Sequence, residues 1–214
     1  MKLLYIIVNS KPESESSSRR VSRKVVNKLL EVHPDCMLEE LNLYDEHIPR
    51  LEYRYFKQRN CVVDKEEYDK LPEQDKKEVD RINQLCDQFI SADIYVIGAP
   101  MWSLSFPAPL KEYIDCIVQV NKTMIISNGK VKGTLDDKER KMIYVQSSGG
   151  PVPWLLRGKV SQGVEYVEDI MKVLGIKKFK ELLVDETGFE RDTKIDAEYK
   201  AIKHIDALID DLEG

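Results

Sequence analysis

Ala99-Pro100-Met101-Trp102-Ser103-Leu104-Ser105-Phe106-Pro107 follows the apolar run Ile94-Tyr95-Val96-Ile97 and precedes Leu110-Lys111-Glu112-Tyr113-Ile114-Asp115. A short uninterrupted apolar run reads as a strand buried on both faces, and Pro107 and Pro109 suit the first turn of a helix, where no N–H is required. The stretch is therefore a loop at the carboxyl end of a strand, which is where open parallel sheets bind ligands. Met101 and Trp102 exposed there suit a planar aromatic ligand lying on the loop. A hydrophobic loop tucked beneath a neighbouring helix fits this stretch equally well, so other segments must decide.

Upstream, Leu3 to Val8 reads as a strand buried on both faces, ending at Asn9-Ser10. The polar segment Lys11 to Ser18 follows, and Val21, Val25, Leu29 and Val32 then recur at helical spacing. A helix starting near Ser16 to Ser18 has serine at its cap, and its free N–H groups with nearby hydroxyls form an anion site suited to a phosphate monoester. A capped, solvated loop is the alternative, and Glu13 and Glu15 would repel a phosphate if they pointed inward. Met37 to Leu43 is a second, more mixed strand, expected near an edge. From Ile48 to about Asp75 the pattern breaks, in a stretch with Tyr53, Tyr55, Phe56 and Tyr68 that suits a lid or a dimer-contact arm.

Downstream, Val79 to Ile90 marks an amphipathic helix, and Leu110 to Val118 another after Pro107. Asn128-Gly129 between short extended runs predicts a hairpin within about 123–135. Lys141 to Val145 is the fourth core strand, and it runs into Gln146-Ser147-Ser148-Gly149-Gly150-Pro151. Paired glycines admit close backbone approach to a ligand and positive φ, although a tight turn would use them as well. Val160, Val164, Val167, Met171 and Leu174 form a helix closed by Gly175, Phe179 to Val184 is the fifth strand, and Ala197 to Leu212 is a terminal helix. The alternation predicts an α/β fold in one domain spanning 1–214, a doubly wound five-stranded parallel sheet with helices on both faces.

Composition narrows the partners. The chain has 214 residues, 42% hydrophobic and 33% charged, enough for one sizeable core. A net charge of -5 argues against nucleic acid and anionic membrane surfaces, so small molecules are the expected ligands. The first apolar run is too short for a signal h-region or a bilayer span, and a cytoplasmic protein is expected. Cys36, Cys61, Cys86 and Cys116 form no C-x-x-C pair and His33, His47 and His204 no ligand spacing, so neither a disulfide framework nor a metal site is indicated.

Three unusual loops thus follow the first, third and fourth core strands: Ser10 with Ser16, Ser17 and Ser18; Met101, Trp102, Ser103 and Leu104; and Ser147, Ser148, Gly149 and Gly150. In a flavodoxin-like strand order of 2-1-3-4-5 they meet at one crevice, at the topological switch point. An anion cradle, an aromatic platform and a glycine edge are the parts needed to hold a flavin mononucleotide. The G-x-x-x-x-G-K-[ST] and G-x-G-x-x-G loops are absent.

In these phrases, with Leu110-Lys111-Glu112-Tyr113-Ile114-Asp115, the chain resembles over essentially its whole length the FMN-dependent NADH:quinone oxidoreductases, also called FMN-dependent NADH-azoreductases. The resemblance implies tightly bound FMN, with Ser10 and Ser16 to Ser18 on its phosphate, Met101 to Leu104 along the isoalloxazine and Ser147 to Gly150 at its pyrimidine edge. It also implies a homodimer with each flavin near the subunit interface, NADH or NADPH as donor, and a quinone or aromatic azo compound as acceptor. Ser103-Leu104 replaces the family's usual Asn-Phe, and Met124-Ile125-Ile126 replaces a Phe-x-Tyr, both where substrate should stack. Hydride would pass to flavin N5 and on to the acceptor in a ping-pong cycle with no catalytic side chain, Gly149 and Gly150 N–H groups facing charge on the reduced ring. Tyr55 or Phe56 is a candidate to cover the acceptor. The alternatives are a flavodoxin-type electron carrier, a flavin-binding or flavin-free module without turnover, and a nucleoside-processing enzyme, for which no carboxylate pair is placed.

Overall fold

The structure is a computed structural model that describes residues 1–150, 162–188 and 191–214. Pro151 and Val160 lie outside the described residues. Five strands form the central sheet: β1 (Lys2–Ile7), β2 (Met37–Asn42), β5 (Ile94–Pro100), β8 (Lys141–Ser147) and β9 (Lys178–Val184). Every pairing is parallel, in the order β2-β1-β5-β8-β9, the predicted 2-1-3-4-5 arrangement. β5 is buried at all seven positions and β1 from Leu3 onward, which is why both read as continuous apolar runs. β2 alternates more and lies at one edge.

Alternate residues of each strand feed two cores. Leu4, Ile6, Tyr95, Ile97, Met142 and Tyr144 pack with helices α3 (Glu73–Ser91), α4 (Ala108–Ile117) and α5 (Gln162–Leu174). Leu3, Tyr5, Ile7, Val96, Ile143 and Val145 pack with α1 (Ser17–Val32), α6 (Arg191–Ile202) and α7 (Ile205–Glu213). Helices thus cover both faces, as a two-sided apolar sheet requires.

Local chemistry sets the ends. Ser16 caps α1 by accepting the Arg19 N–H at 3.2 Å. Gly175, at φ +114, closes α5 with its own N–H on Met171 and Lys172 and that of Ile176 on Met171. The terminal helix differs from expectation. Lys203 N bonds Tyr199 O and His204 N bonds Ala201 O in a tightened last turn, and the chain restarts at Ile205 as a separate helix. The apolar spacing runs through this break, because Ala197 and Ala201 before it and Ile205, Ile209 and Leu212 after it line the same core.

The segment after β2 is not structureless. It holds a turn at Tyr53–Tyr55, a hairpin of β3 (Phe56–Gln58) and β4 (Cys61–Val62), and α2 (Lys65–Lys70) capped by Asp64. Elements of two to six residues are too short to show a hydrophobic period, and Asn60 at φ 56 turns the hairpin without glycine. A second hairpin, β6 (Met124–Ser127) with β7 (Lys130–Gly133), turns at Asn128 and Gly129, both at positive φ.

Gly98 allows a close approach of α1 to the sheet. A Cβ there would lie 2.4 Å from Ser22 Oγ and 2.9 Å from Ser22 Cβ on α1. Ser22 cannot simply rotate away, since its hydroxyl bonds Tyr5 Oη at 2.6 Å and Ser18 O at 2.6 Å. Gly98→Ala is expected to lower the unfolding free energy by about 1–3 kcal/mol in urea denaturation, the usual range for an overpacked core.

Candidate active site at the carboxyl edge of the sheet

Because β1, β5 and β8 are adjacent and parallel, their following loops leave the same edge, about 10 Å apart from first to last at ordinary strand spacing. Backbone hydrogen bonds tie them together: Val8 N to Gly98 O at 2.9 Å and Met101 N to Ser147 O at 2.7 Å.

The first loop forms a buried hydroxyl cluster. Asn9 Nδ2 donates to Ser16 Oγ at 2.8 Å and Ser18 Oγ at 3.3 Å, and the two hydroxyls meet at 3.1 Å. Ser16, Ser17 and Ser18 are all buried. The Ser17 hydroxyl lies near Glu198 without closing a hydrogen bond of ordinary length. The first four amides of a helix lack intrahelical acceptors, and here only that of Arg19 is met by the cap, leaving those of Ser17 and Ser18 free among the described residues. Ser10 is exposed beside this cluster and joins none of its bonds. Glu13 does not face inward against an anion: its Oε2 lies 3.3 Å from Arg23 Nε, and Glu15 is exposed.

Cations gather around the same turn. Arg19 donates to Lys11 O at 2.8 Å, Arg20 to Glu13 O and Ser14 O, and Lys194 to Glu15 O at 2.8 Å. Burial, then the charge of Arg20, holds the Lys194 ammonium below the ordinary lysine value. Arg20 also grips Glu198 with both nitrogens, at 2.9 and 2.5 Å, which fastens α6 to the start of α1.

The second loop is an exposed platform. Trp102 and Ser105 exchange backbone hydrogen bonds at 2.8 and 2.9 Å, and Ser103 and Leu104 turn the chain at φ 50 and 63. Trp102 is 46% exposed and Leu104 57%, with Met101 half-buried. The hydrophobic loop does not tuck beneath a helix. Gly163 of α5 supports it from behind, where a Cβ would come within 3.1 Å of Ser105 Cα. Tyr44, just after β2, meets the Trp102 ring edge-on at 6.4 Å. Tyr55 by contrast is 3% exposed inside the core and Phe56 packs against that core, so Tyr55 is no cover for the platform.

The third loop presents backbone. Ser148 is turned inward, its hydroxyl donating to Asp185 at 2.9 Å and its carbonyl accepting from Thr187 N and Oγ1. Ser147 is buried, while Gly149 and Gly150 are exposed with no described atom within 4 Å of an added Cβ. Neither glycine has a positive φ, so neither backbone strain nor described packing demands glycine there. Gln146, one residue earlier, is buried with its Oε1 unpartnered.

The donors, the aromatic platform and the open glycine edge fit FMN: acceptor oxygens at one end, a planar ring, and amide edges at the other. Sequence reasoning found the three loops but missed Asn9 and Tyr44, which lie two residues beyond the strand ends. It also missed Gly98 and Gly163, whose need for no side chain shows only where elements touch.

The architecture and this edge-on site define a flavodoxin-like protein, and residues 1–208 match the family model described as flavodoxin-like fold. The chain is 54% identical over 99% of both sequences to the FMN-dependent NADH:quinone oxidoreductase of Ruminiclostridium cellulolyticum, and 55% identical over 98% of both to that of Clostridium botulinum strain Alaska E43. It belongs to the FMN-dependent NADH:quinone oxidoreductase family. Among solved structures, the azoreductase of Bacillus anthracis strain Sterne shares the fold with a TM-score of 0.79 at 23% identity, covering 95% of this chain and 96% of that one.

Two outcomes follow from the geometry. Ser103→Asn places a residue that tolerates left-handed backbone at φ 50, and the midpoint of thermal unfolding should rise, by roughly 0.5–1 kcal/mol in stability. Burial, the largest single influence, opposes ionisation of Glu198, but the hydrogen bonds and charge of Arg20, with the Ser17 hydroxyl and the Lys194 ammonium, together outweigh it and hold the carboxyl below its ordinary value. That stabilisation is present above the unfolded carboxylate value, about 4.3, and lost as pH falls through the folded one. Glu198→Gln should therefore melt below the parent protein at pH 7 and approach it at pH 3.

Proposed function

We propose that this protein is an FMN-dependent oxidoreductase that takes a hydride from NADH and delivers it to a quinone. The observation that carries the reading is the convergence, at one edge of the sheet, of a hydroxyl-and-amide cradle with an exposed tryptophan turn and an open diglycine turn. Bound FMN supplies the chemistry, accepting hydride from the nicotinamide and releasing it to the second substrate. The chain's own residues bind and orient. The cradle of Ser16, Ser17 and Ser18 takes the phosphate, with Ser10 at its rim and the amides of Ser17 and Ser18 along the helix axis. Met101, Trp102, Ser103 and Leu104, on the largely exposed second loop, would line the ring and give nicotinamide and acceptor access to it in turn. Ser147 and Ser148 hold the next loop in place, so that the N–H groups of Gly149 and Gly150 face the pyrimidine edge and stabilise charge there. Ser103-Leu104 in place of the usual Asn-Phe removes an amide contact and an aromatic wall where an azo compound would stack, so quinone rather than azo reduction is the reaction proposed.

A homodimer suits the half-exposed apolar side chains of the β6–β7 hairpin, Ile125, Ile126 and Val131. The four free thiols suit the reducing cytoplasm. No described helix is long and apolar enough to cross a membrane.

Purified protein should be yellow or take up FMN stoichiometrically, and should oxidise NADH continuously with a benzoquinone or naphthoquinone present. Protein that binds no FMN overturns the reading. Protein that binds FMN and accepts electrons only from another redox protein, without NADH turnover, is an electron carrier of flavodoxin type.

A further inference from the structure

The geometry points to Asn9 as a positioning residue that fixes the direction of the hydroxyl protons in the serine cradle and so makes the cradle a donor-only surface for a phosphate dianion. The inference rests on the FMN reading above and adds a residue that touches the cradle from behind. Asn9 is 5% exposed at the end of β1. Its Oδ1 accepts the Lys11 N–H at 2.9 Å, which orients the amide and turns Nδ2 toward the serines. Nδ2 then donates to Ser16 Oγ and Ser18 Oγ.

The rest is proton counting. A serine hydroxyl has two lone pairs and one hydrogen. Ser16 Oγ receives Asn9 Nδ2 and Arg19 N, so both lone pairs are filled and it can only donate in its 3.1 Å contact with Ser18. Ser18 Oγ then receives both Asn9 and Ser16, so its own hydrogen is directed out of the network. That hydrogen joins the amides of Ser17 and Ser18, so the Asn9–Ser16–Ser18 network turns donors and no free lone pair toward the ligand, while the Ser17 hydroxyl beside it is free to rotate and donate as well. A fully ionised phosphate monoester is acceptor-only and matches. A hydroxyl-bearing group in the same place does not.

Two substitutions separate this from simple support. Asn9→Ala removes the orienting donors and lets the hydroxyls bond each other at random. Asn9→Asp is nearly isosteric but accepts where Asn9 donates, so both serine protons turn toward it and a negative charge stands behind the phosphate. The probes are FMN and riboflavin, the same ring system without the phosphate. Protein loaded with each flavin is diluted serially and the released flavin read by fluorescence, with thermal unfolding measured in parallel.

At pH 8, Asn9→Asp should weaken FMN by about 100-fold or more and Asn9→Ala by about tenfold, while riboflavin stays within about threefold of the parent protein. Near pH 5 the Asp variant should regain part of its loss relative to the parent at the same pH, as its protonated carboxyl becomes a donor. Equal weakening of both flavins, or an FMN-to-riboflavin ratio unchanged in both variants, overturns the role of Asn9. If the Asp variant does not fold, the ratio for Asn9→Ala decides alone. Failure of the parent protein to bind FMN overturns the flavin reading and this inference together, whereas FMN binding by the parent with unchanged variant ratios overturns this inference only.

Discussion

Parallel pairing of β1, β5 and β8 is the constraint on which the molecule depends. Antiparallel neighbours would send alternate loops to opposite edges. Parallel ones send every loop that follows a strand to the same edge and every returning helix to a face. The register holds this tightly, with Ile7 beside Gly98 and Pro100 beside Ser147. Burying both faces of such a sheet demands apolar residues at successive positions, and the same demand confines polar chemistry to the strand ends. The site lies where the hydrophobic constraint stops.

The two ends of that edge are built differently. At the serine turn, buried polar groups bond mainly to one another, and a ring of cations surrounds them in a chain whose net charge is -5. Glu198, close to the Ser17 hydroxyl, is taken up by Arg20 in a two-pronged pair. The turn thus gathers Lys11, Arg19, Arg20 and Lys194 in a chain that is acidic overall, which supports the proposed phosphate end of the site. At the tryptophan turn there is little charge, and exposed apolar surface does the work.

The fold was legible because its signals are periodic. Five apolar runs, the helices between them, Gly175 as a helix stop and Asn128-Gly129 as a turn all came from short-range rules, and the strand order observed is the flavodoxin-like one under which the three loops were expected to meet. The failures share a physical cause. The insertion's hairpin and helix are too short to repeat a hydrophobic period, and Tyr55 looked like a cover although it is a core residue, because aromatic character alone does not tell depth. The break at Lys203-His204 left the apolar spacing intact and so left no trace. At the candidate site the loops were legible, but Tyr44, Gly98 and Gly163 act through contacts between segments far apart in sequence, and Asn9 through side-chain bonds across its own turn, which no hydrophobic period records.

Ser103 and Leu104 show why the platform differs from the cradle in kind. Two consecutive side-chain-bearing residues hold left-handed backbone, each at roughly 1–2 kcal/mol over the right-handed form, and Leu104 gains no burial in return. Neither glycine nor asparagine, which would relieve the turn, is present. Local preference and adopted structure conflict at this turn, and such conflicts concentrate where a ligand rather than the fold sets the geometry. The narrow Trp102–Ser105 pair and Gly163 behind it hold the turn in place despite the strain. On the proposed reading, a cradle whose hydroxyls are oriented by Asn9 would anchor the phosphate, and the ring would need only contact and orientation along the tryptophan turn. That division would leave the residues beside the ring free to vary with the substrate while the anchoring end keeps its geometry.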